Sequence, residues 1–262
     1  MKLDNKRIVL TGAASGIGRA LLQMLAGYSA QIMVADINQT TLQATIDAVP
    51  VKNAKLIPYI ADLSQQQNVD ALFACAVEKM GGIDLFIANA GYAYYEKIKE
   101  PDWDHIARIY QLNVFSTIYS AEKMKALNAG QPYKVVITAS SIGHLPLPGY
   151  AIYSGTKAAL HRFAEAYRYE LDDPTSLMLV YPIATRTNFF KTAGDEVPVM
   201  WPNQPPEAVG RAVIKGIETD RTSVYPSRLF RFFRISERIL PFLRNILQGW
   251  EYRRFKQWLT AR

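Results

Sequence analysis

Short apolar runs alternate along the chain with longer stretches in which apolar residues recur every three or four positions. The short runs have the length of strands, and several are apolar at consecutive positions, as in Ile8-Val9-Leu10. Strands that are apolar on both faces and separated by helices indicate a parallel sheet that is covered on both sides. The pattern predicts strands over 7–11, 31–36, 55–60, 83–89, 134–139, 176–181 and 223–225, and helices over 16–26, 39–49, 65–80, 101–127 and 153–171.

This alternation predicts an α/β fold, a single Rossmann-type doubly wound parallel sheet with helices on both faces. Sheets of this kind bind their ligands at the carboxyl ends of the strands. No internal repeat or low-complexity linker divides the chain. We therefore expect one domain over 1–225, followed by a basic amphipathic helical extension over 226–262.

The composition, 49% apolar and 20% charged, is that of a folded protein. The single cysteine, Cys75, permits no disulfide within the chain, which suits a reducing compartment. The first apolar run begins so early that it leaves no room for a signal peptide. No uncharged apolar run reaches the about 18 residues of a membrane span. We therefore expect a cytoplasmic protein.

A glycine-rich turn, Gly12-Ala13-Ala14-Ser15-Gly16-Ile17-Gly18, follows the first predicted strand and opens the first predicted helix. Free backbone N–H groups and the positive end of the helix meet there, and a pyrophosphate can bind at such a point. The spacing GxxxGxG differs from the GxGxxG of the general dinucleotide fingerprint, and the segment alone could also be a glycine turn without a ligand. The dinucleotide interpretation predicts cofactor contacts from Gly12, Ser15, Gly16, Ile17 and Gly18.

Polar residues end or follow the next strands. The carboxylate of Asp36, at the end of the second, can accept hydrogen bonds from ribose hydroxyls and would repel a 2′-phosphate. Since Ala14, Ser15 and Ile37 supply no cation to neutralise such a phosphate, this residue favours NAD over NADP. Each of these polar residues could alternatively be an ordinary turn or capping residue. Further cofactor contacts are predicted from Asp62 and Leu63 after the third strand, and from Asn89, Ala90 and Gly91 at the end of the fourth.

Tyr153 and Lys157 lie four residues apart in a predicted helix and therefore share one face. An ammonium beside the phenol, with a positively charged nicotinamide nearby, would lower the pKa of Tyr153 from about 10 toward neutrality. Tyr153 could then exchange the alcohol proton of a hydride transfer. The hydroxyl of Ser140, at the end of the fifth predicted strand, can hold the substrate oxygen. A Tyr and a Lys at this spacing on their own are more typical of a solvated helix surface.

Together these motifs resemble the classical short-chain dehydrogenase/reductase family, over about residues 6–218. The resemblance implies a catalytic tetrad of Asn113, Ser140, Tyr153 and Lys157, in which Asn113 holds a water that links Lys157 to solvent. It also implies that Lys157 contacts the nicotinamide ribose. The family usually has a glycine where this chain has Ile183, which bears on the shape of the pocket. Further cofactor contacts are implied for Tyr153, Pro182, Thr185 and Thr187.

The resemblance also implies a substrate-covering flap over 188–206 and a homodimer or homotetramer. The flap is rich in apolar and aromatic residues, which predicts an apolar pocket for a steroid-, retinoid- or lipid-like alcohol or ketone. Such residues also simply pack in a core. No metal site is predicted, because His144 and His161 lack a partner pattern. Other candidate pocket residues are Tyr92, Tyr94, Tyr95, Leu145, Leu147 and Tyr150.

The net charge of +7 is concentrated near the end of the chain, where residues 221–262 contain ten Lys or Arg and two Glu. From 228 to 250, Leu, Phe, Ile and Trp recur at helical spacing, with a break or bend at Pro241. Basic amphipathic helices of this kind are typical of anionic membrane surfaces. Packing against the body or another subunit is the alternative, and no nucleic-acid motif accompanies the charge. The interleaved cations are Arg228, Arg231, Arg234, Arg238 and Arg244.

Two functions therefore remain open at the level of the sequence. The first is an NAD-dependent oxidoreductase that interconverts a secondary alcohol and a ketone on an apolar substrate, with NADP a less favoured cofactor. The second is a dinucleotide-binding sensor or scaffold with little turnover. The set of Asn113, Ser140, Tyr153 and Lys157 favours the enzyme, because a protein that only binds a dinucleotide does not need all four.

Overall fold

The structure, a computed structural model, describes residues 1–50, 53–187, 189, 197–198 and 200–260. Its strands are β1 (Arg7–Thr11), β2 (Gln31–Asp36), β3 (Lys55–Ile60), β4 (Leu85–Ala88), β5 (Lys134–Thr138), β6 (Leu177–Val180) and β7 (Ser223–Val224). They form one seven-stranded sheet in the order β3-β2-β1-β4-β5-β6-β7, with every neighbouring pair parallel. The predicted doubly wound parallel sheet is confirmed.

Helices connect these strands and cover both faces of the sheet. A π-helical turn, Gln111–Phe115, joins the fourth and fifth helices, and short 3₁₀ turns follow β5 and precede β6. The helices are α1 (Gly16–Leu25), α2 (Gln39–Asp47), α3 (Gln66–Met80), α4 (Trp103–Tyr110), α5 (Ser116–Leu127), α6 (Ala151–Tyr167), α7 (Pro206–Glu218), α8 (Arg228–Ile239) and α9 (Phe242–Thr260).

Alternate residues of the central strand β1 face opposite layers of the core. Leu10 lies in one layer with Leu21 of α1 and Val213 of α7. Val9 lies in the other with Leu72 of α3 and Leu160 of α6. Because side chains alternate across a strand, burial on both sides explains why this strand is apolar at consecutive positions.

The structure departs from the predicted elements mainly at their ends. The helix predicted over 101–127 is divided by the π-helical turn, and α6 begins two residues before Tyr153, at Ala151. The helical extension predicted over 226–262 is interrupted between α8 and α9. The sequence predicts this break at Pro241, because proline cannot continue a helix interior. Within the described ranges, no helix combines the length and the hydropathy that a membrane span requires.

Candidate active site

The glycine-rich turn lies between β1 and α1, and at Gly12 and Gly18 a side chain would not fit. Gly12 has a φ of +64°, and a Cβ there would lie 2.8 Å from the Cα of Ala90. A Cβ on Gly18 would lie 1.9 Å from the carbonyl oxygen of Gly12. The first glycine therefore permits the turn and the last one permits close packing of α1 on it, which leaves the N-terminus of α1 open to a ligand.

The side chain of Asn89 joins three neighbouring strands at their carboxyl ends. Its amide nitrogen donates to the carbonyl oxygens of Thr11 and Gly12 at 3.2 and 3.1 Å. Its amide oxygen accepts a hydrogen bond from the hydroxyl of Thr138 at 3.2 Å. This amide therefore ties the ends of β1, β4 and β5 together.

Backbone groups hold two carboxylates, one at the end of β2 and one that follows β3. Asp36 accepts hydrogen bonds from the N–H groups of Ala14, at 2.9 Å, and Asn38, at 3.1 Å. Asp62 accepts one from the N–H of Ser64 at 2.9 Å. Asp36 therefore braces the glycine turn, and its half-buried side chain remains on the wall of the cleft.

A cleft of about 560 Å³ opens at the carboxyl ends of the strands. Two predicted site residues, Gly18 and Asn113, do not line this cleft. The predicted site residues on it are Gly12, Ser15, Gly16, Ile17, Asp36, Asp62, Leu63, Asn89, Ala90, Gly91, Ser140, Tyr153, Lys157, Pro182, Thr185 and Thr187.

Tyr153 and Lys157 lie on the first turns of α6, and both are buried. The ammonium of Lys157 donates to the carbonyl oxygen of Thr138 at 2.8 Å and lies 5.8 Å from the centre of the Tyr153 ring. Burial lowers the pKa of Lys157 to about 8. The Ser140 hydroxyl accepts a hydrogen bond from the N–H of Ile142 at 3.2 Å, which places it at the start of the 3₁₀ turn.

The expected fall in the pKa of Tyr153 does not occur in the polypeptide alone. Burial raises the pKa of Tyr153, and the hydrogen bond with Ser140 offsets only part of this rise. Desolvation disfavours the phenolate. The sequence correctly identified the neighbours of Tyr153 but not the degree of burial.

Asn113 lies in the π-helical turn and is fully buried. Its amide oxygen accepts from the N–H of Tyr92 at 3.1 Å, and its amide nitrogen donates to the carbonyl of Tyr92 at 2.9 Å and to the hydroxyl of Thr156 at 3.2 Å. The side chain is therefore a clamp between α6 and the segment after β4.

Several residues that line the cleft were not identified from the sequence. The hydroxyl of Thr138 bonds to Asn89 and its carbonyl accepts from Lys157, so this residue links two parts of the site. Its position at the carboxyl end of β5 was the available signal, since such strand ends line the cleft. Ile183, the departure from the family pattern, also lines the cleft. The other lining residues that were not singled out include Arg108, Leu112, Ala139 and Ile142.

An aromatic wall extends the site beyond Tyr153 to the C-terminal helix. The ring of Tyr150 lies 6.1 Å from that of Tyr153 and 4.7 Å from that of Tyr95. Tyr95 in turn contacts Phe255 and Trp258 of α9, at 5.5 and 4.8 Å between ring centres. The end of α9 therefore packs against the segments that form the site.

The predicted flap, 188–206, falls partly outside the described residues, which omit 188, 190–196 and 199. Among its described members, Phe189 lies 5.6 Å from the Tyr153 ring, and Phe189 and Met200 line the cleft. His161 bonds to the hydroxyl of Tyr181 at 2.8 Å, and His144 bonds to that of Tyr225 at 3.3 Å. Both histidines are thus held by tyrosines, as expected of structural residues.

Solved structures with the same fold have been determined with either nicotinamide cofactor. One is a short-chain dehydrogenase/reductase of Burkholderia phymatum in complex with NAD, with a TM-score of 0.82 at 22% identity over 92% of this chain and 96% of that one. Another is a short-chain dehydrogenase of Sphingobium yanoikuyae in complex with NADPH, with a TM-score of 0.76 at 21% identity over 90% and 94%. At these identities the likeness concerns the fold.

Sequence comparison gives the family. An L-2,3-butanediol dehydrogenase of Corynebacterium glutamicum is 32% identical over 171 residues, which are 64% of this chain and 66% of that protein. The family model described as short chain dehydrogenase matches residues 6–198. That match covers most of the chain and includes the glycine turn and the Tyr153-to-Lys157 pair, so the chain belongs to the short-chain dehydrogenase/reductase family.

Proposed function

We propose that this protein is an NAD-dependent oxidoreductase that interconverts a secondary alcohol and a ketone on an apolar substrate. The observation that carries the proposal is the placement of Ser140, Tyr153 and Lys157 on the same cleft as the glycine turn. One end of that cleft is suited to a dinucleotide and the other to the proton chemistry of an alcohol.

The residues of the cleft fit a bound dinucleotide. Gly91 leaves room beside Lys157, since a Cβ there would lie 2.9 Å from the amide oxygen of Asn113 and 3.8 Å from the Lys157 ammonium. Gly12, Ser15 and Gly16 would hold the pyrophosphate at the N-terminus of α1, and Lys157 would hold the nicotinamide ribose. When bound, the nicotinamide supplies or accepts the hydride.

The chain's own contribution is to orient the substrate oxygen and to move its proton. The Ser140 hydroxyl would hold that oxygen, and the Tyr153 hydroxyl would donate the proton during reduction and accept it during oxidation. Lys157, with its pKa near 8, changes protonation close to neutral pH and can therefore relay the proton. A positive charge delivered beside Tyr153 would offset the desolvation that raises its pKa.

Asp36 supports the preference for NAD. Its carboxylate is fixed by Ala14 and Asn38 on the cleft wall, where it can accept hydrogen bonds from a ribose diol. A 2′-phosphate would meet this negative charge, and the neighbouring Ser15 and Ile37 offer no compensating cation.

The apolar lining of the cleft supports an apolar substrate. Tyr92, Tyr150 and Tyr153, with Phe189 and Met200, line the cleft. Such a lining favours a lipophilic ketone or alcohol over a charged metabolite. We also propose that subunits pair through the helices around Asn113 and Lys157, since Phe115 is 60% exposed beside this region. Size-exclusion chromatography with light scattering tests the pairing.

A substrate panel tests the activity. Steroid, retinoid, fatty and sugar alcohols would be incubated with NAD or NADP, and formation of reduced cofactor followed by absorbance. We expect turnover of lipophilic secondary alcohols with NAD. Tight NAD binding without turnover of any alcohol, or of the corresponding ketones with NADH, would instead favour a sensor or scaffold.

A further inference from the structure

A basic cavity lies at the start of α8, outside the cleft. It has a volume of about 280 Å³, and its lining includes four cations and no carboxylate. None of the four forms an ion pair with a residue that the structure describes. The cations are Lys215, Arg221, Arg228 and Arg231.

Helix α8 begins at this cavity and has two apolar faces. Its inner face packs on the body through Phe230, which is 7% exposed and lies 6.3 Å from the Tyr225 ring. At 3.6 residues per turn, the side chains of the other face fall within an arc of about 120°. These side chains are Leu229, Phe232, Ile235 and Ile239, which are 55%, 68%, 57% and 75% exposed.

The cavity and the outer face adjoin one another. Arg228 and Arg231 line the cavity, and Phe232 stands one helical turn beyond Arg228. Beyond Pro241, α9 adds the exposed apolar side chains Phe242, Ile246 and Trp250, which are 54%, 51% and 63% exposed. Exposed large apolar side chains in such number within two successive helices mark an interaction site.

The charges indicate which partner fits this surface. Pairing with a second copy through the same face would bring the two sets of arginines together, which like-charge repulsion opposes. An anionic lipid bilayer instead offers phosphate oxygens for the cations and acyl chains for the apolar side chains.

We propose that this surface, the basic cavity together with the outer faces of α8 and α9, binds an anionic phospholipid bilayer. The cavity takes a phosphate headgroup, and Phe232, Ile235 and Ile239 enter the acyl layer. This binding does not depend on the proposed dehydrogenase activity, so either can fail while the other stands.

Helix α9 connects this surface to the site. Its Gln248 donates to the carbonyl oxygen of Pro146 at 2.8 Å, and Phe255 packs on Tyr95 of the aromatic wall. Deleting the extension 226–262 would therefore disturb the candidate active site as well as this surface. Point substitutions on the outer face give the cleaner test.

The test is cosedimentation of the full-length protein with phosphatidylcholine vesicles, with and without phosphatidylglycerol. We expect binding only to the anionic vesicles. The double variant Arg228→Gln/Arg231→Gln should lower the partition coefficient roughly tenfold or more, at on the order of fivefold per cation. Phe232→Ser/Ile239→Ser should lower it by a similar factor, and most strongly at high salt, where the apolar contribution dominates.

Matched controls are Lys55→Gln/Lys79→Gln, which removes the same charge elsewhere, and Trp103→Ser, which removes an apolar side chain that is 84% exposed on α4. Both should bind as the wild type does. Equal binding to neutral vesicles, or unchanged binding by both double variants on α8, would overturn the proposal. So would dissociation of an oligomer by Phe232→Ser/Ile239→Ser without loss of vesicle binding, or saturable binding of inorganic phosphate without binding to vesicles.

Discussion

Lys157 of α6 donates a hydrogen bond to the carbonyl oxygen of Thr138, at the end of β5, with the two atoms 2.8 Å apart. This contact fixes the ammonium within the cleft and close to the ring of Tyr153, while burial lowers its pKa to about 8. Helix α6 is thus anchored to the sheet by the same side chain that is proposed to relay the proton.

Replacing Tyr153 by Phe should abolish turnover while leaving NAD binding nearly intact, because the phenol moves a proton and does not anchor the cofactor. We expect a loss of at least about a hundredfold in kcat. Tyr150→Phe is the matched control, since the Tyr150 hydroxyl is buried without a hydrogen-bond partner among the described residues. Steady-state kinetics measure kcat for both variants, and titration with NAD measures their affinity for the cofactor. A Tyr153→Phe enzyme with more than about a tenth of the wild-type rate would refute the assignment.

Stability should depend on pH through Lys157. The unfolded chain keeps this amine protonated up to its ordinary pKa of 10.5, whereas in the fold the pKa is about 8. The unfolded state therefore binds more protons between these values, and stability rises with pH across that window. Below pH 8 the full cost of the buried cation is present, and above pH 10.5 it is gone.

Urea unfolding of the cofactor-free protein measures this effect. The free energy of unfolding of the wild type, relative to that of Lys157→Met, should rise by about 3 kcal/mol across the window, at about 1.4 kcal/mol per pKa unit. Lys55→Met, at an exposed position, controls for the general loss of a cation. A difference that stays constant with pH would contradict the lowered pKa.

Replacing Asp36 by Ala should narrow the preference for NAD over NADP, because the charge that would face a 2′-phosphate is removed. Asp36→Asn should do the same while keeping an oxygen to accept the hydrogen bond from Ala14. Asp47→Ala, at an exposed position on α2, is the control for charge. Titration of both cofactors into each apo protein measures the effect. If the wild-type protein binds NADP as tightly as NAD, the assignment of Asp36 as the residue that selects NAD is wrong.

Gly12 and Gly130 offer a matched pair in the left-handed region of the backbone, with φ of +64° and +72°. Alanine should cost roughly 1–2 kcal/mol of strain at either position. A Cβ at Gly12 would also collide with the backbone of Ala90, whereas one at Gly130 would meet nothing within 4 Å. Gly12→Ala alone should therefore weaken NAD binding. We expect the Kd for NAD to rise on the order of tenfold or more, which corresponds to a loss of at least about 1.4 kcal/mol of binding free energy. Calorimetry on both variants would show equal affinities if the turn does not hold the cofactor.

Phe255→Ala should destabilise the protein by about 3 kcal/mol and raise KM for apolar ketones, because it leaves a gap behind Tyr95 in the aromatic wall. Phe255 is 8% exposed, whereas Phe232, on the outer face of α8, is 68% exposed. Phe232→Ala should change the free energy of unfolding by no more than about 0.5 kcal/mol. Denaturation and kinetics of both variants provide the comparison, and equal effects would mean that α9 does not support the site.

Local pattern was sufficient to predict the sheet, because the central strands are apolar on both faces and several strand ends carry a recognisable residue. It was also sufficient for the pairing of Tyr153 with Lys157, which depends only on helical spacing. The clamp of Asn113 on Tyr92 and Thr156 depends on three segments that meet only in the fold. The pKa of Tyr153 likewise depends on its burial. The contact of Phe255 with Tyr95 depends on which face of α9 packs against the domain. Spacing along the chain predicts none of these three features.

The hydrogen bonds of Asn89 have a consequence for the thermodynamics of ligand binding. By joining the ends of β1, β4 and β5, this one amide restrains the strand ends that border the cleft before any ligand arrives. Such preorganisation removes much of the conformational entropy that binding would otherwise cost. A substitution at Asn89 would therefore act on affinity through the freedom of the empty cleft, in addition to the loss of the cofactor contact predicted for Asn89 itself.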